Sequence, residues 1–194
     1  MCIPEVSVAQ AADRTELIDT LVLGFAADPI ARWVLPETHT YLTCMGAFFD
    51  GFGGRAFNHQ SAFVANSGQG VALWLPPDVE PDEEAMDAAL ENHIAPELGK
   101  DFAMMMKQMG HYHPDEPHWY LPVIAADPQY FGCGLGGELM KHALRRVDED
   151  RLPAYLESSN PRNISLYERH GFEVVGEIQV GKSPVMTPMI RAAR

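Results

Sequence analysis

Apolar positions along this chain recur at two spacings, one helical and one alternating or continuous. Leu17, Ile18, Leu21, Val22 and Phe25 follow Asp13, a residue type suited to capping, and predict a helix that ends near Ala27. Asp28-Pro29 marks a turn there, because the residue before a proline is driven out of helical geometry. Residues 41–57 read as a second helix, frayed by Gly51, Gly53 and Gly54. Loose alternation over residues 3–9 predicts a first strand. Residues 61–65 and 71–75 read as two further strands around a hairpin at 66–70, and Pro76-Pro77 stops the second of them. Residues 81–110 form an acidic helical region with breaks expected at Pro96 and Gly99. Met104, Met105, Met106 and Met109 cluster at its end, either as core or as an adaptable wall for an apolar substrate.

The second half is better punctuated. Residues 119–126 must form a strand, yet Pro122 lies inside it and offers no N–H, so the strand should be bulged or unpaired on one side there. A glycine-rich turn follows, with Gly132, Gly134, Gly136 and Gly137 crowded at the start of a helix lined by Leu139, Met140, Ala143, Leu144 and Val147. Residues 154–158 give a short strand. Asn160-Pro161 opens a short helix that runs to about His170, with Gly171 where a left-handed C-cap belongs. Residues 172–178 and 184–190 finish as strands. No internal repeat, linker or low-complexity tract interrupts the order.

Composition narrows the function classes. At 194 residues the chain suits one domain, burying roughly two-thirds of its unfolded surface. The net charge of −13, from 27 acids against 14 Lys plus Arg, disfavours nucleic acid and anionic membranes and attracts a cationic substrate such as an amine. Acidic surfaces also serve solubility alone. Cys2, Cys44 and Cys133 have neither metal-ligand spacing nor an even-numbered disulfide framework, which points to a reducing, cytoplasmic setting. His111, His113 and His118 invite a metal reading, but the prolines among them leave no predictable ligand geometry, so no metal is expected. The N-terminal residues lack a basic start and an apolar run, so no signal peptide is expected, and no stretch nears the ~18 apolar residues of a membrane span.

The glycine turn carries the chemistry. Backbone amides bare of side chains at a helix N-terminus make a ready anion site, because unpaired N–H groups and the helix dipole point the same way. Two readings fit. Gly132, Gly134 and Gly137 match G-x-G-x-x-G, with Glu157 about 20 residues on, as a dinucleotide fold would have. Against that, residues 127–131 separate the glycines from the strand, only 57 residues remain after Gly137, and nothing after Glu157 reads as repeated strand–helix–strand units. The other reading is Gln129-x-x-Gly132-x-Gly134, a loop of successive amides that wraps a pyrophosphate.

This second pattern resembles the acetyl-CoA motif of the GNAT superfamily of N-acetyltransferases. Its context strengthens it: Leu166-Tyr167-Glu168 followed by Gly171-Phe172, in the order strand, glycine loop, helix, strand, short helix, strand, looks like that family's acyl-CoA half over residues 119–191. Phe25-Ala26-x-Asp28-Pro29, Glu116-Pro117-x-Trp119, Leu152-Pro153-Ala154-x-Leu156-Glu157 and Pro161-Arg162-Asn163 further resemble the puromycin N-acetyltransferase branch and its bacterial relatives.

The resemblance implies a single α/β domain of the GNAT type over residues 1–194, with a central mixed, mostly antiparallel sheet, flanking helices, and residues 1–118 mainly on the acceptor side. It implies direct acetyl transfer from acetyl-CoA to an amine of a small molecule, antibiotic-like amines among them. Ile124, Ala125 and Ala126 would pair with the pantetheine arm. Gln129 and the loop from Phe131 through Gly132, Cys133, Gly134 and Leu135 to Gly136 would hold the pyrophosphate. Asn160 and Asn163 would bond the pantetheine. Tyr167 would protonate the departing thiolate, and phenols, which ionise at about 10, carry the proton this needs. Glu157 would take the amine's proton, directly or through water. Phe25, Asp28, Trp33, Tyr112 and the 104–109 methionines would line the acceptor pocket. Cys133 departs from the Lys or Arg common in relatives, which removes one phosphate contact and leaves the loop amides. The resemblance leaves a homodimer open. The rival readings are an acyl-CoA-binding sensor without chemistry and a dinucleotide-dependent oxidoreductase.

Overall fold

The computed structural model describes residues 3–194, so Met1 and Cys2 lie outside the described residues. Seven strands form one sheet: β1 (Val6–Val8), β2 (Ala62–Ala65), β3 (Gly70–Leu75), β4 (Trp119–Ala126), β5 (Ala154–Ser158), β6 (Glu173–Val174) and β7 (Thr187–Arg191). Their order is β1-β2-β3-β4-β5-β7-β6, and every described pairing is antiparallel except β4 with β5. A single parallel pair is not the repeated parallel unit that a dinucleotide fold is built from. The helices are α1 (Arg14–Gly24), α2 (Pro29–Val34), α3 (Thr38–Gly53), α4 (Glu83–Leu90), α5 (Pro96–Tyr112), α6 (Leu135–Asp150) and α7 (Ile164–Glu168).

Both faces of the sheet are covered, which explains why β3 reads as an unbroken apolar run. Val71, Leu73 and Leu75 pack with Leu21, Tyr41, Phe49 and Met105 of α1, α3 and α5. Ala72 and Trp74 face the other way, against Leu139, Met140, Ala143 and Val147 of α6. The stripe read from the sequence of α6 is therefore its buried face. Asp148 near the end of α6 accepts two hydrogen bonds from the buried Arg191 guanidinium, at 2.7 and 3.0 Å. That ion pair ties α6 to β7.

Several expected boundaries move. The first helix stops at Gly24, short of Ala27, and Gly24 presses on β4: a Cβ there would lie 2.5 Å from Ala125 Cβ and 2.7 Å from the Ala126 carbonyl oxygen. Gly24→Ala should cost about 1–3 kcal/mol by overpacking a contact in which one partner is backbone. A thermal melt checks this, and an unchanged melting temperature would mean that α1 slides freely along β4. Asp28-Pro29 does not only turn the chain; it starts α2, with the Asp28 side chain as its cap. The second helix begins at Thr38 and ends at Gly53, and residues 54–59 tighten into 3-10 geometry. Gly99 does not break α5, which starts at Pro96 and takes in His111 and Tyr112 as helical residues. Beyond Gly171, whose φ of 87° is left-handed as expected, pairing shrinks to Glu173–Val174 and an isolated Ile178–Met186 bridge. The last strand is displaced to Thr187–Arg191.

Pro122 acts as its chemistry requires. Between Leu73–Val123 and Leu75–Tyr120 the β3–β4 register slips, so that Leu121 and Pro122 oppose Trp74 alone, a bulge. On its other side β4 pairs with β5 only at Trp119–Ala154 and Tyr120–Tyr155. Beyond Tyr120 the two strands part. Residues 124–126 still bond to β3, but their second edge has no strand beside it.

Candidate active site

The turn after β4 is fixed from within. Asp127 Oδ1 accepts from the Gln129 amide at 2.8 Å, residues 128–130 make one 3-10 turn, and Phe131 and Cys133 spend their amides on the carbonyls of Pro128 and Tyr130 at 3.3 and 3.2 Å. Gly132 and Gly134 then take left-handed φ of 79° and 84°, conformations nearly barred to residues with a Cβ. Gly134 is the N-cap of α6 and no side chain caps that helix. Among the described residues no backbone partner meets the amides of Gly132 or of residues 134–137. A Cβ at Gly132, Gly134 or Gly137 would meet nothing within 4 Å. Open amides, a helix dipole and empty space in front of them suit a doubly charged anion. The loop's open amides are therefore those of Gly132 and residues 134–137; those of Phe131 and Cys133 are already committed.

Where β4 and β5 part, a cavity opens, lined by Leu121–Ile124 on one strand, by Leu156 and Glu157 on the other, and by Ser159 just beyond it. Its far wall is aromatic: the Phe25 and Phe49 rings lie 4.9 Å apart, Phe48 and Phe52 5.7 Å, and Phe52 meets Tyr120 edge-on at 6.0 Å. Met105, Met106 and Met109 close it from α5, whereas Met104 is exposed. Asn163 and Tyr167 also line it. The α6 N-terminus lies beside α7, which carries Tyr167, since a Cβ at Gly136 would stand 3.2 Å from Leu166. The free edge of β4 thus runs from the cavity to the open amides.

Two acids enter the cavity and differ in what they have left to accept. Asp28 Oδ1 takes the Ile30 and Ala31 amides at 3.0 and 3.1 Å, and Oδ2 takes the Ser159 hydroxyl at 2.6 Å. Both oxygens are engaged. Burial raises the Asp28 pKa, against those three hydrogen bonds, which lower it. Glu157 has a side chain only 3% exposed. Its Oε2 accepts from Tyr120 Oη at 2.9 Å, while Oε1 is buried without a hydrogen bond. His113 Nε2 stands 3.2 Å from Oε1 but is not aligned to donate, and Tyr155 Oη is likewise unbonded. Burial, followed by the Glu157 charge, pushes the phenols of Tyr120 and Tyr155 up.

Tyr167 is buried, and burial, then the Asp28 carboxylate, pushes its phenol above the ordinary tyrosine range. Seven residues before it, Asn160 caps the short helix by accepting from the Arg162 amide at 3.1 Å. Among the described residues its side-chain NH₂ has no acceptor. Asn163 is mostly exposed and reaches the cavity from the next turn.

Of the residues singled out from the sequence, Phe25, Asp28, Ile124, Glu157, Asn163, Tyr167 and three of the four methionines meet around this cavity. Trp33 and Tyr112 do not line it. Trp33 packs half-buried on the core, and Tyr112 lies against Gly176 with its hydroxyl 3.4 Å from the Glu177 carbonyl. The sequence reading missed Met45, Phe48, Phe49 and Phe52, although their i, i+3, i+4, i+7 spacing was visible on α3. It also missed Ser159 and Met186, which carry no pattern. Among the described residues no group of His, Cys, Asp and Glu could hold a metal, and no helix is long and apolar enough to cross a membrane.

Comparison with known proteins agrees with this geometry. The family model described as the acetyltransferase (GNAT) family matches residues 76–172. A mycothiol acetyltransferase from Brachybacterium faecium is 40% identical over 57 residues, which are 28% of this chain and 17% of that relative, so the match spans less than a fifth of its length. A crystal structure from Corynebacterium glutamicum, described as a histone acetyltransferase and related acetyltransferase, superposes with a TM-score of 0.72 at 26% identity, covering 100% of this chain and 98% of that one. Arylalkylamine N-acetyltransferase 2 from Aedes aegypti gives 0.71 at 13% identity over 100% of both chains. A polyamine N-acetyltransferase from Drosophila melanogaster gives 0.65 at 14%, over 98% of this chain and 100% of that one. At 13 and 14% those two share the fold alone. With its splayed sheet, its open amide loop and a family match across half its length, this chain belongs to the acetyltransferase (GNAT) family.

Proposed function

We propose that this acetyltransferase uses acetyl-CoA to acetylate the amine of a small molecule by direct transfer. The observation that carries the reading is the row of open amides at Gly132 and residues 134–137, joined to the cavity by the unpaired edge of β4. Bound acetyl-CoA supplies the activated acetyl thioester. The amides hold its pyrophosphate, while the backbone of residues 124–126 and the Asn160 side chain bond its amide-bearing arm as an added strand would. Gln129 flanks the loop, and Asn163 faces the same end of the cavity. The net charge of −13 draws in a cationic amine.

An ammonium group must lose two protons on becoming an amide. Glu157 Oε1, buried and unbonded, takes the first, and His113 beside it, 24% exposed along its side chain, gives that proton a way out to solvent. As the nitrogen–carbon bond forms and the carbon–sulfur bond breaks, Tyr167 Oη protonates the leaving sulfur and is reprotonated at the cost of the nitrogen's second proton. The Ser159 hydroxyl is spent on Asp28 at 2.6 Å, and direct transfer requires no covalent enzyme intermediate.

CoA should raise the melting temperature, since a ligand held only by the folded state adds about 2.7 kcal/mol at 100-fold its Kd. NAD should leave it unchanged. Stabilisation by NAD and none by CoA would overturn the reading.

A further inference from the structure

We infer that Asp28 and Ser159 form a clasp across the β4–β5 split, and that this clasp positions Tyr167 against the thioester held on the β4 edge. It rests on the proposed acetyl transfer and makes both side chains positioning residues for that reaction.

The split leaves the two walls of the site weakly joined. β4 and β5 pair only at Trp119–Ala154 and Tyr120–Tyr155, so no ladder spaces them where the donor arm would lie. One wall is the free edge of β4. The end of α1 is packed on it, since a Cβ at Gly24 would lie 2.5 Å from the Ala125 Cβ, and Asp28 follows four residues later. The other wall is the turn after β5, where Ser159 leads through Asn160 into α7 and Tyr167. Between the walls the Ser159 hydroxyl donates to Asp28 Oδ2 at 2.6 Å. Among the described residues it is the only hydrogen bond from residues 159–168 to the N-terminal half of the chain.

Asp28 is itself held firmly. Its Oδ1 accepts the Ile30 and Ala31 amides, its own amide donates to the Phe25 carbonyl at 2.9 Å, and its carbonyl accepts from the Arg32 amide at 3.0 Å. Its charge also reaches Tyr167, adding to the effect of burial on that phenol, so the clasp and the acid are neighbours. A general acid works only within hydrogen-bond reach of the atom it protonates, and losing the clasp would leave the α7 wall to packing alone.

A double-mutant cycle tests this. Thiol release is followed in a single turnover with enzyme in excess of acetyl-CoA, to water alone and to phenethylamine, putrescine or agmatine, because the departing sulfur needs its proton whatever the acceptor. Ser159→Ala should slow release by roughly 10–10²-fold, the cost of an acid misplaced by about 1 Å, and leave the CoA melting shift intact. Ser159→Thr, which keeps the hydroxyl, should restore most of the rate. In a Tyr167→Phe background, where there is no acid left to misplace, Ser159→Ala should cost about twofold at most. Should Ser159→Ala fail to fold, Ser159→Cys, with the same shape and a weak donor, carries the same cycle. An equal loss in both backgrounds overturns the inference, as does a wild-type rate in Ser159→Ala or a lost CoA shift. A wild-type protein that shows the CoA shift but releases no thiol above the uncatalysed rate also overturns it, and leaves the cofactor site standing. No CoA shift in the wild type would bring down the acetyl-CoA reading, and this inference with it.

Discussion

Tyr167→Phe is expected to lower kcat by roughly 10²–10⁴, the usual worth of a positioned general acid, while acetyl-CoA binding survives nearly intact. The ring stays packed edge-on to Phe172, 6.3 Å away, so only the hydroxyl is lost. The open loop amides lie in another element and are untouched. Because burial and then Asp28 hold the Tyr167 phenol above its ordinary range, the acid stays protonated throughout pH 5–9. Wild-type kcat should therefore show no alkaline fall caused by this group. Steady-state kinetics against pH, with a substrate whose chemical step limits turnover, provides the check. A phenylalanine variant with near wild-type kcat would remove Tyr167 from the chemistry, and a loss of the CoA melting shift as well would make it structural.

Gly134→Val should abolish the CoA-induced melting shift and reduce kcat/KM for acetyl-CoA by roughly 10²-fold or more, equivalent to losing two hydrogen bonds to a charged group. Two effects combine. A φ of 84° is strained for a branched side chain, by about 1–3 kcal/mol, and the added methyls occupy the space through which an anion reaches the α6 amides. The protein itself has room, since nothing lies within 4 Å of the new Cβ. The ligand-free variant should melt only modestly lower. A folded variant with an undiminished CoA shift would take the phosphate away from this loop.

Much of this was legible in the sequence, and the reason is physical. Pro122 announced a broken ladder because it has no N–H, and the crowded glycines announced open amides because only glycine leaves them bare. Leu139, Met140, Ala143, Leu144 and Val147 fixed the inner face of α6 by period alone. What period could not give was pairing across the fold. Asp28 looked like a turn residue and a pocket acid, but it is also the cap of α2, held by a serine 131 positions away. His113 looked like a loop histidine and lies beside a buried glutamate. Trp33 and Tyr112 were assigned to the pocket through the family resemblance, and the packing of α2 and the C-terminal end of α5 sends them elsewhere. The short pairing of β6 was also beyond reach, since residues 172–178 have strand-like composition whether or not a neighbour comes close enough to bond.

The parting of β4 from β5 has a consequence for how such a molecule can change over time. The four N-terminal strands and the three C-terminal ones share only two residue pairs, Trp119–Ala154 and Tyr120–Tyr155. Everywhere else in a sheet, inserting or deleting one residue flips each neighbour's side chains to the wrong face. Here such an error stops at a two-rung seam. The ribbon that builds the cavity wall can therefore drift in length and sequence without re-registering the ribbon that carries Glu157 and leads on to Tyr167. That makes the molecule modular at the one place where two ligands would meet.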